Sequence, residues 1–277
     1  MQASEVLRQR TLTAVLLAPA AILLILLAPT WLFALAIAGA VLAGLWEWSR
    51  LAGFRNHAWR SLLLALMAAL CLGLWFWRGT PAGRVVIALG VIAWLLALLW
   101  LRDPTRYAAP SGAHAWTKLA FALPALLPAW LALVVLHDGG MRAHVWTLLA
   151  LMLVWAADTG AYFAGTRYGR HKLAPLISPG KTREGVAGGA LLALVVAAVF
   201  GYALGLRGAD LLLLLGVVAV STAFSIIGDL SESLLKRQAA VKDSGRMFPG
   251  HGGLLDRIDG VLAAAPVFVL LKLWLGL

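Results

Sequence analysis

Residues 209–235, ADLLLLLGVVAVSTAFSIIGDLSESLL, run into KRQAAVKDSGRMFPGHGG at 236–253 and then into LLDRIDGVLAAAPVFVLLKLWLG at 254–276. Two strongly apolar stretches, each long enough to cross a bilayer as a helix, enclose a short segment dense in ionisable groups and glycine. Between Ser233 and Asp259 stand five Lys or Arg side chains, one histidine and three aspartates. Such groups belong in water or against a charged ligand, yet both flanks read as membrane-embedded. The result is a polar cluster at a membrane boundary, with acids suited to a metal ion and bases suited to phosphate.

The rest of the chain agrees. Of 277 residues, 62% are hydrophobic and 13% charged, against about 25% charged in soluble domains. The fold class is therefore all-α, a polytopic integral membrane protein. The formal charge of +11 fits Lys and Arg in cytoplasmic loops beside anionic lipid better than it fits nucleic acid, which is not expected as a partner. The single Cys71 excludes an internal disulfide.

A spanning helix needs roughly 17 to 25 apolar residues. Nine candidates follow, at about 11–28, 30–46, 61–77, 84–101, 118–136, 145–164, 185–205, 209–235 and 254–276. The first, preceded by Arg8 and Arg10, resembles a signal peptide but lacks a small-x-small cleavage site, so it reads as an uncleaved helix. The second ends at Glu47 and reads as short. With the N-terminus inside, 18 of the 23 Lys and Arg fall in cytoplasmic segments, and nine spans put the C-terminus outside. Trp46, Trp48, Trp75, Trp77, Trp100 and Trp116 sit near span ends, as an interfacial belt would. His57, His114, His137 and His144 join no constellation and read as interfacial polar groups.

Chemistry concentrates in the second half. Residues 1–140 read as N-terminal scaffold spans, and 141–277 as a catalytic region with cytoplasmic loops at 165–184 and 236–253. Acids within spans are costly, roughly 2.5–3.5 kcal/mol each near the bilayer centre. Asp158 lies late in the sixth span; Asp229 and Glu232 lie at the cytoplasmic end of the eighth; Asp256 and Asp259 open the ninth. Asp229, Glu232, Ser233 and Lys236 share one helical stripe, and Asp256 and Asp259 share one face. A hairpin of the last two spans would bring these acids together. Their hard oxygens suit Mg²⁺, with Asp229 and Asp256 as the metal ligands; the alternative is interfacial ion pairing with Arg237, Arg257 and Lys242. PGHGG at 249–253 lets backbone N–H groups approach an anion at a helix N-terminus, where His251 either donates to phosphate or caps the turn. ISPGKTREG at 177–185 offers Ser178, Lys181, Thr182 and Arg183 as a phosphate cradle, although it lacks Walker-loop spacing and is otherwise a plain basic loop.

Together these residues resemble the phosphatidate cytidylyltransferase family, also called CDP-diacylglycerol synthases. Ser233, Lys236, Arg237, Lys242, Asp243, Gly245, His251, Gly252, Gly253, Asp256, Arg257 and Asp259 match its signature without a gap. Its D-T-G-A-Y-x-x-G stretch is matched from Asp158 to Gly165, and its S-P-x-K-T-x-E-G loop from Ser178 to Gly185. Gly180 departs from the lysine found in many relatives. The specific resemblance covers the last part of the chain; the N-terminal spans are similar in hydropathy only.

The resemblance implies a reaction between CTP and phosphatidic acid giving CDP-diacylglycerol and pyrophosphate. It implies Mg²⁺ on Asp229 and Asp256, K⁺ as a companion ion, a homodimer, and a site on the cytoplasmic side of a bacterial inner membrane. Lys236, Arg237, Lys242, Asp243, His251, Arg257 and Asp259 would then serve catalysis. Asp158, Ser178, Lys181, Thr182, Glu184, Gly252 and Gly253 would contact substrate. The phosphate nucleophile is already anionic, so no strong general base is required. A CTP-dependent lipid-alcohol kinase has similar needs and differs in which phosphate moves. A secondary transporter would favour mid-bilayer acids and two halves with broken helices, whereas these acids gather at one face.

Overall fold

The computed structural model describes residues 18–108, 112–247 and 252–277. Nine helices dominate them: α1 Ala18–Leu27, α2 Thr30–Leu51, α3 His57–Trp77, α4 Pro81–Arg102, α5 Gly112–His137, α6 Met141–Tyr168, α7 Arg183–Ala203, α8 Gly208–Gln238 and α9 Leu255–Leu275. The last eight are long and apolar enough to cross a membrane, as the all-α polytopic expectation requires. The start of the first expected span, with Arg8 and Arg10, lies outside the described residues.

Helix ends follow local chemistry. Asn56 accepts the backbone N–H groups of Ala58 and Trp59 at the start of α3, and Thr80 caps α4 with Pro81 at its first position. Several helices overrun the apolar windows on the charged side. α2 continues past Glu47 to Leu51, and α8 contains 31 residues. At ~1.5 Å per residue α8 is about 46 Å long, against ~30 Å of hydrocarbon, so its charged last turns stand outside the apolar slab. Between α6 and α7 the expected loop holds an antiparallel hairpin, β1 Lys172–Ala174 and β2 Ser178–Thr182, pairing Lys172 with Thr182 and Ala174 with Ser178.

α5 and α9 are the most enclosed spans, and helices from both halves of the chain pack on them. α6 and α7 meet through small residues: a Cβ on Gly160 or Gly189 would strike the partner backbone. Such close approach replaces the hydrophobic driving force that lipid does not provide. α8 and α9 meet in the same manner where Gly228 lies against the backbone of Asp259.

Two expectations about polar side chains change. Trp48 is buried and donates its indole N–H to the Lys118 carbonyl at 2.9 Å; Trp100 is largely buried and donates to the Arg106 carbonyl at 3.3 Å. Trp48 clamps α2 to α5 and Trp100 ties the turn after α4 back to its helix, whereas Trp77 and Trp116 stay exposed as a belt residue would. His137 and His144 are not isolated: their rings stack at 3.9 Å, and His137 stacks on Phe33 at 4.1 Å. His137 Nε2 and His144 Nδ1 bond to the carbonyls of Ile25 and Leu26 at 2.8 and 2.9 Å. They fasten the end of α1 to α5 and α6.

The helix ends fall on two faces. Arg78 and Asp138 pair at 2.8 Å between the α3–α4 and α5–α6 turns. On the opposite face Gln238 donates to the carbonyls of Pro104 and Arg106 at 3.0 and 2.9 Å, and Arg237 Nε donates to the Ile177 carbonyl at 3.3 Å. The alternation matches the one used for charge counting.

Candidate active site

The stripe on α8 forms as helical spacing requires. Ser233 donates to Asp229 Oδ1 at 3.4 Å, and Lys236 pairs with Glu232 one turn back. Lys236 also reaches α9, where its ammonium lies 2.6 Å from Asp256 Oδ1. Glu232 is buried, and neither of its oxygens accepts a well-directed hydrogen bond among the described residues. A buried carboxylate in that state depends on nearby positive charge, and Lys236 supplies it.

The two oxygens of Asp256 differ. Oδ2 accepts from Ser244 N at 2.9 Å and Gly253 N at 2.7 Å, and lies 2.9 Å from Ser244 Oγ, whose single proton it shares with a second carboxylate. Oδ1 faces Lys236, and the Glu232 carboxyl also lies within hydrogen-bond reach of Asp256. Gly252 makes the turn into this arrangement with φ of +85°, where a side chain would also run into Asp256.

A second strand of the site comes from the hairpin. β2 carries Lys181 onto α8, where it pairs with Asp229. Burial pushes the Lys181 ammonium down from the usual lysine range, with Asp259 and then Asp158 pulling the other way. Lys181 therefore sits among acids of three helices, α6, α8 and α9. Thr182, buried, caps α7 by accepting from Gly185 N at 3.1 Å. Glu184 holds the backbone N–H groups of Arg170 and His171 at 3.1 and 3.2 Å and the His171 ring at 2.6 Å. Both residues thus have internal work in fixing the hairpin on α7. Ser178 starts β2.

Two cavities meet here. One, of about 320 Å³, is lined by Asp158, Lys181, Thr182, Ser225 and Asp229 together with the small residues of α6 and α7. The other, of about 490 Å³, is apolar along Ile25, Phe33, Val41, Trp130 and Leu133 and ends at Asp158, Asp256 and Arg257. Asp158 lines both, open to the cavity space though enclosed by helices.

Not every expected residue joins the cluster. Lys242 and Asp243 are exposed beside the loop, and Arg237 turns to the hairpin carbonyl of Ile177. Asp259 binds its own helix through Gly260 N at 2.7 Å while lying close to Lys181. His251 lies outside the described residues. The α9 N-terminus also differs from the open anion site expected. Its amides are taken by carboxylates of the protein: Gly253 N by Asp256, and Leu254 N and Leu255 N by Glu47 at 3.1 and 2.8 Å.

Glu47 is the residue sequence reasoning missed. It is 5% exposed, on α2, and also accepts from Ser244 Oγ at 2.8 Å. The one available signal was an acid inside an otherwise apolar helix, which is costly without a partner.

Asp229 and Asp256 have the chemistry for Mg²⁺, being hard oxygen donors. No three His, Cys, Asp or Glu side chains converge on a metal position among the described residues. Lys181 and Lys236 instead lie against these two acids, each a cation where a metal could attract the same oxygens. Mg²⁺ usually takes one or two protein carboxylates and completes its shell with water and substrate phosphates. The residues present fit that mode, with the substrate as co-ligand.

Residues 8–274 match the Cytidylyltransferase family. A phosphatidate cytidylyltransferase of Pseudomonas aeruginosa is 43% identical over 269 residues, covering 97% of each chain. One of Haemophilus influenzae is 37% identical, covering 95% of this chain and 97% of its own. One of Staphylococcus aureus is 39% identical over 152 residues, 55% of this chain. The similarity therefore extends through the N-terminal spans, beyond the hydropathy likeness expected there. This chain belongs to the cytidylyltransferase family.

Proposed function

We propose that the protein transfers the cytidylyl group of CTP to phosphatidic acid, giving CDP-diacylglycerol and pyrophosphate. The observation that carries this reading, beside the family membership, is the meeting of two unlike cavities at Asp158. One brings Asp158, Lys181, Thr182 and Asp229 together among small residues; the other is mostly apolar and reaches Asp256 and Arg257. A nucleotide phosphate suits the first and a lipid whose phosphate must meet it suits the second.

The reaction joins two anions, so its main demand is neutralisation and in-line alignment at the α-phosphorus. An oxygen of the lipid phosphate attacks that phosphorus, and the bond from the α-phosphorus to the α–β bridging oxygen of CTP breaks, that oxygen leaving with pyrophosphate. Lys181 and Lys236, held by acids of α8 and α9, place fixed positive charge beside both phosphates. Arg257 at the mouth of the apolar cavity holds the lipid phosphate. Lys242 and Arg237, on the exposed loop side, attract CTP and release pyrophosphate. Mg²⁺ bound through Asp229 and Asp256 would neutralise CTP phosphate oxygens. K⁺ as a companion ion and a homodimeric state rest on the resemblance.

The location proposed is a bacterial inner membrane, with the face carrying Lys181, Lys236 and Ser244 towards the cytoplasm. The charge bias of the loops supports it.

The deciding experiment supplies purified protein with phosphatidic acid, Mg²⁺ and CTP labelled at either the α- or the γ-phosphate. Label from the α-position, with cytidine, is expected in lipid, and γ-label in pyrophosphate. Transfer of γ-label to lipid would replace this reading with a kinase.

A further inference from the structure

We propose that Glu47, on α2 and 197 residues from Ser244 in sequence, is a positioning residue that aims Asp256 into the site. This rests on the cytidylyltransferase reading. Glu47 is buried in the half of the molecule that otherwise reads as scaffold, and among the described residues the hydrogen bonds of its carboxylate go to the segment bearing Asp256. Oε1 accepts from Leu254 N at 3.1 Å, and Oε2 from Leu255 N at 2.8 Å and Ser244 Oγ at 2.8 Å. Arg50, one turn further along α2, donates to the Ser244 carbonyl. Gly245 and Gly253 pack so closely on the carboxylate that a Cβ on either would collide with it.

The consequence for Asp256 is geometric. The first N–H groups of a helix lack intrahelical partners and attract negative charge. At α9, Glu47 occupies two of them, leaving Gly253 N and Ser244 to hold Asp256 by Oδ2 alone. Oδ1 is thereby turned away from the loop and towards Lys236. Without Glu47, the amides of Leu254 and Leu255 would compete for Asp256 and draw its second oxygen back onto its own helix. Ser244 is the link: its N–H donates to Asp256, and its single hydroxyl proton lies within reach of both carboxylates.

The test uses the full-length protein in detergent or nanodiscs with Glu47→Gln, Ser244→Ala and the double variant. Glu47→Gln keeps one acceptor oxygen and the shape but loses the charge and the second acceptor. Expected is a fall in kcat of at least tenfold with the KM for CTP changed less than threefold. Mn²⁺ binding followed by electron paramagnetic resonance should weaken at least fivefold, and amide exchange at 252–256 should rise while that of α3 and α7 is unchanged. The double variant should be no worse than twice the poorer single one, since both act through one chain of contacts. A Glu47→Gln protein with kcat and Mn²⁺ affinity within twofold of wild type overturns the proposal. So does a variant whose faster exchange is accompanied by unaltered catalysis, which marks a role in packing alone. If Glu47→Gln does not fold, Ser244→Ala decides by the same readouts. Wild-type turnover of CTP and phosphatidic acid tests the underlying reaction separately.

Discussion

Lys236 joins two helices by holding two acids at once: Asp256 Oδ1 of α9 at 2.6 Å and Glu232 of its own helix one turn away. The three side chains are 14%, 9% and 2% exposed. Two carboxylates this enclosed coexist because one ammonium serves both, and that dependence can be measured.

Lys236→Met leaves both acids uncompensated. Removing one partner from a buried ion pair costs about 3–5 kcal/mol, so the variant should melt at clearly lower temperature in detergent and lose turnover. Restoring stability by adding Glu232→Gln to Lys236→Met, without restoring turnover, is the expected companion result.

Asp229→Asn and Asp256→Asn should each reduce CTP- and Mg²⁺-dependent product to background while the protein still inserts in the membrane. Asparagine keeps the shape but weakens the hold on a divalent cation and on Lys181 or Lys236. Near-normal turnover in either purified variant would remove that aspartate from the metal assignment.

Lys242 is exposed and outside the ion-pair cluster. Lys242→Ala should change stability by no more than about 0.5 kcal/mol and raise KM for CTP. Unchanged KM and kcat would exclude it from substrate handling.

Gly228 and Gly216 lie on the same helix in opposite circumstances. A Cβ at Gly228 would collide with the Asp259 carbonyl and lie 3.1 Å from the Ala263 side chain, whereas one at Gly216 meets nothing within 4 Å. Gly228→Ala should cost about 1–3 kcal/mol through overpacking and disturb the acid cluster; Gly216→Ala should be neutral or gain up to about 1 kcal/mol from helix propensity. Thermal unfolding of the two purified variants checks the contrast.

The sole native cysteine, Cys71, is buried, so an introduced one reports by itself. Gly79→Cys, in the exposed α3–α4 turn, should react with an impermeant thiol reagent on intact cells, and Lys242→Cys only after the membrane is opened. The reverse pattern would defeat the cytoplasmic assignment of the site.

Much of the architecture was legible because a bilayer imposes a local rule. Any helix within it must present about 20 apolar residues, and hydropathy reads that directly, apart from charged ends such as Glu47–Leu51 that extend a helix beyond its apolar window. The α8 stripe from Asp229 to Lys236 was legible for the same reason, since helical spacing is fixed within one turn. The hairpin that delivers Lys181 to Asp229 was not, since its pairing spans only a few residues of unremarkable pattern and its docking depends on α8.

The chain alone determined that its acids and bases gather at one end of a helical bundle, because charge is excluded from lipid wherever it occurs. Only the tertiary structure decided which acid meets which base, and that Glu47 rather than a ligand receives the first amides of α9. Those pairings join residues far apart in the chain, through packing contacts that no neighbouring pattern encodes.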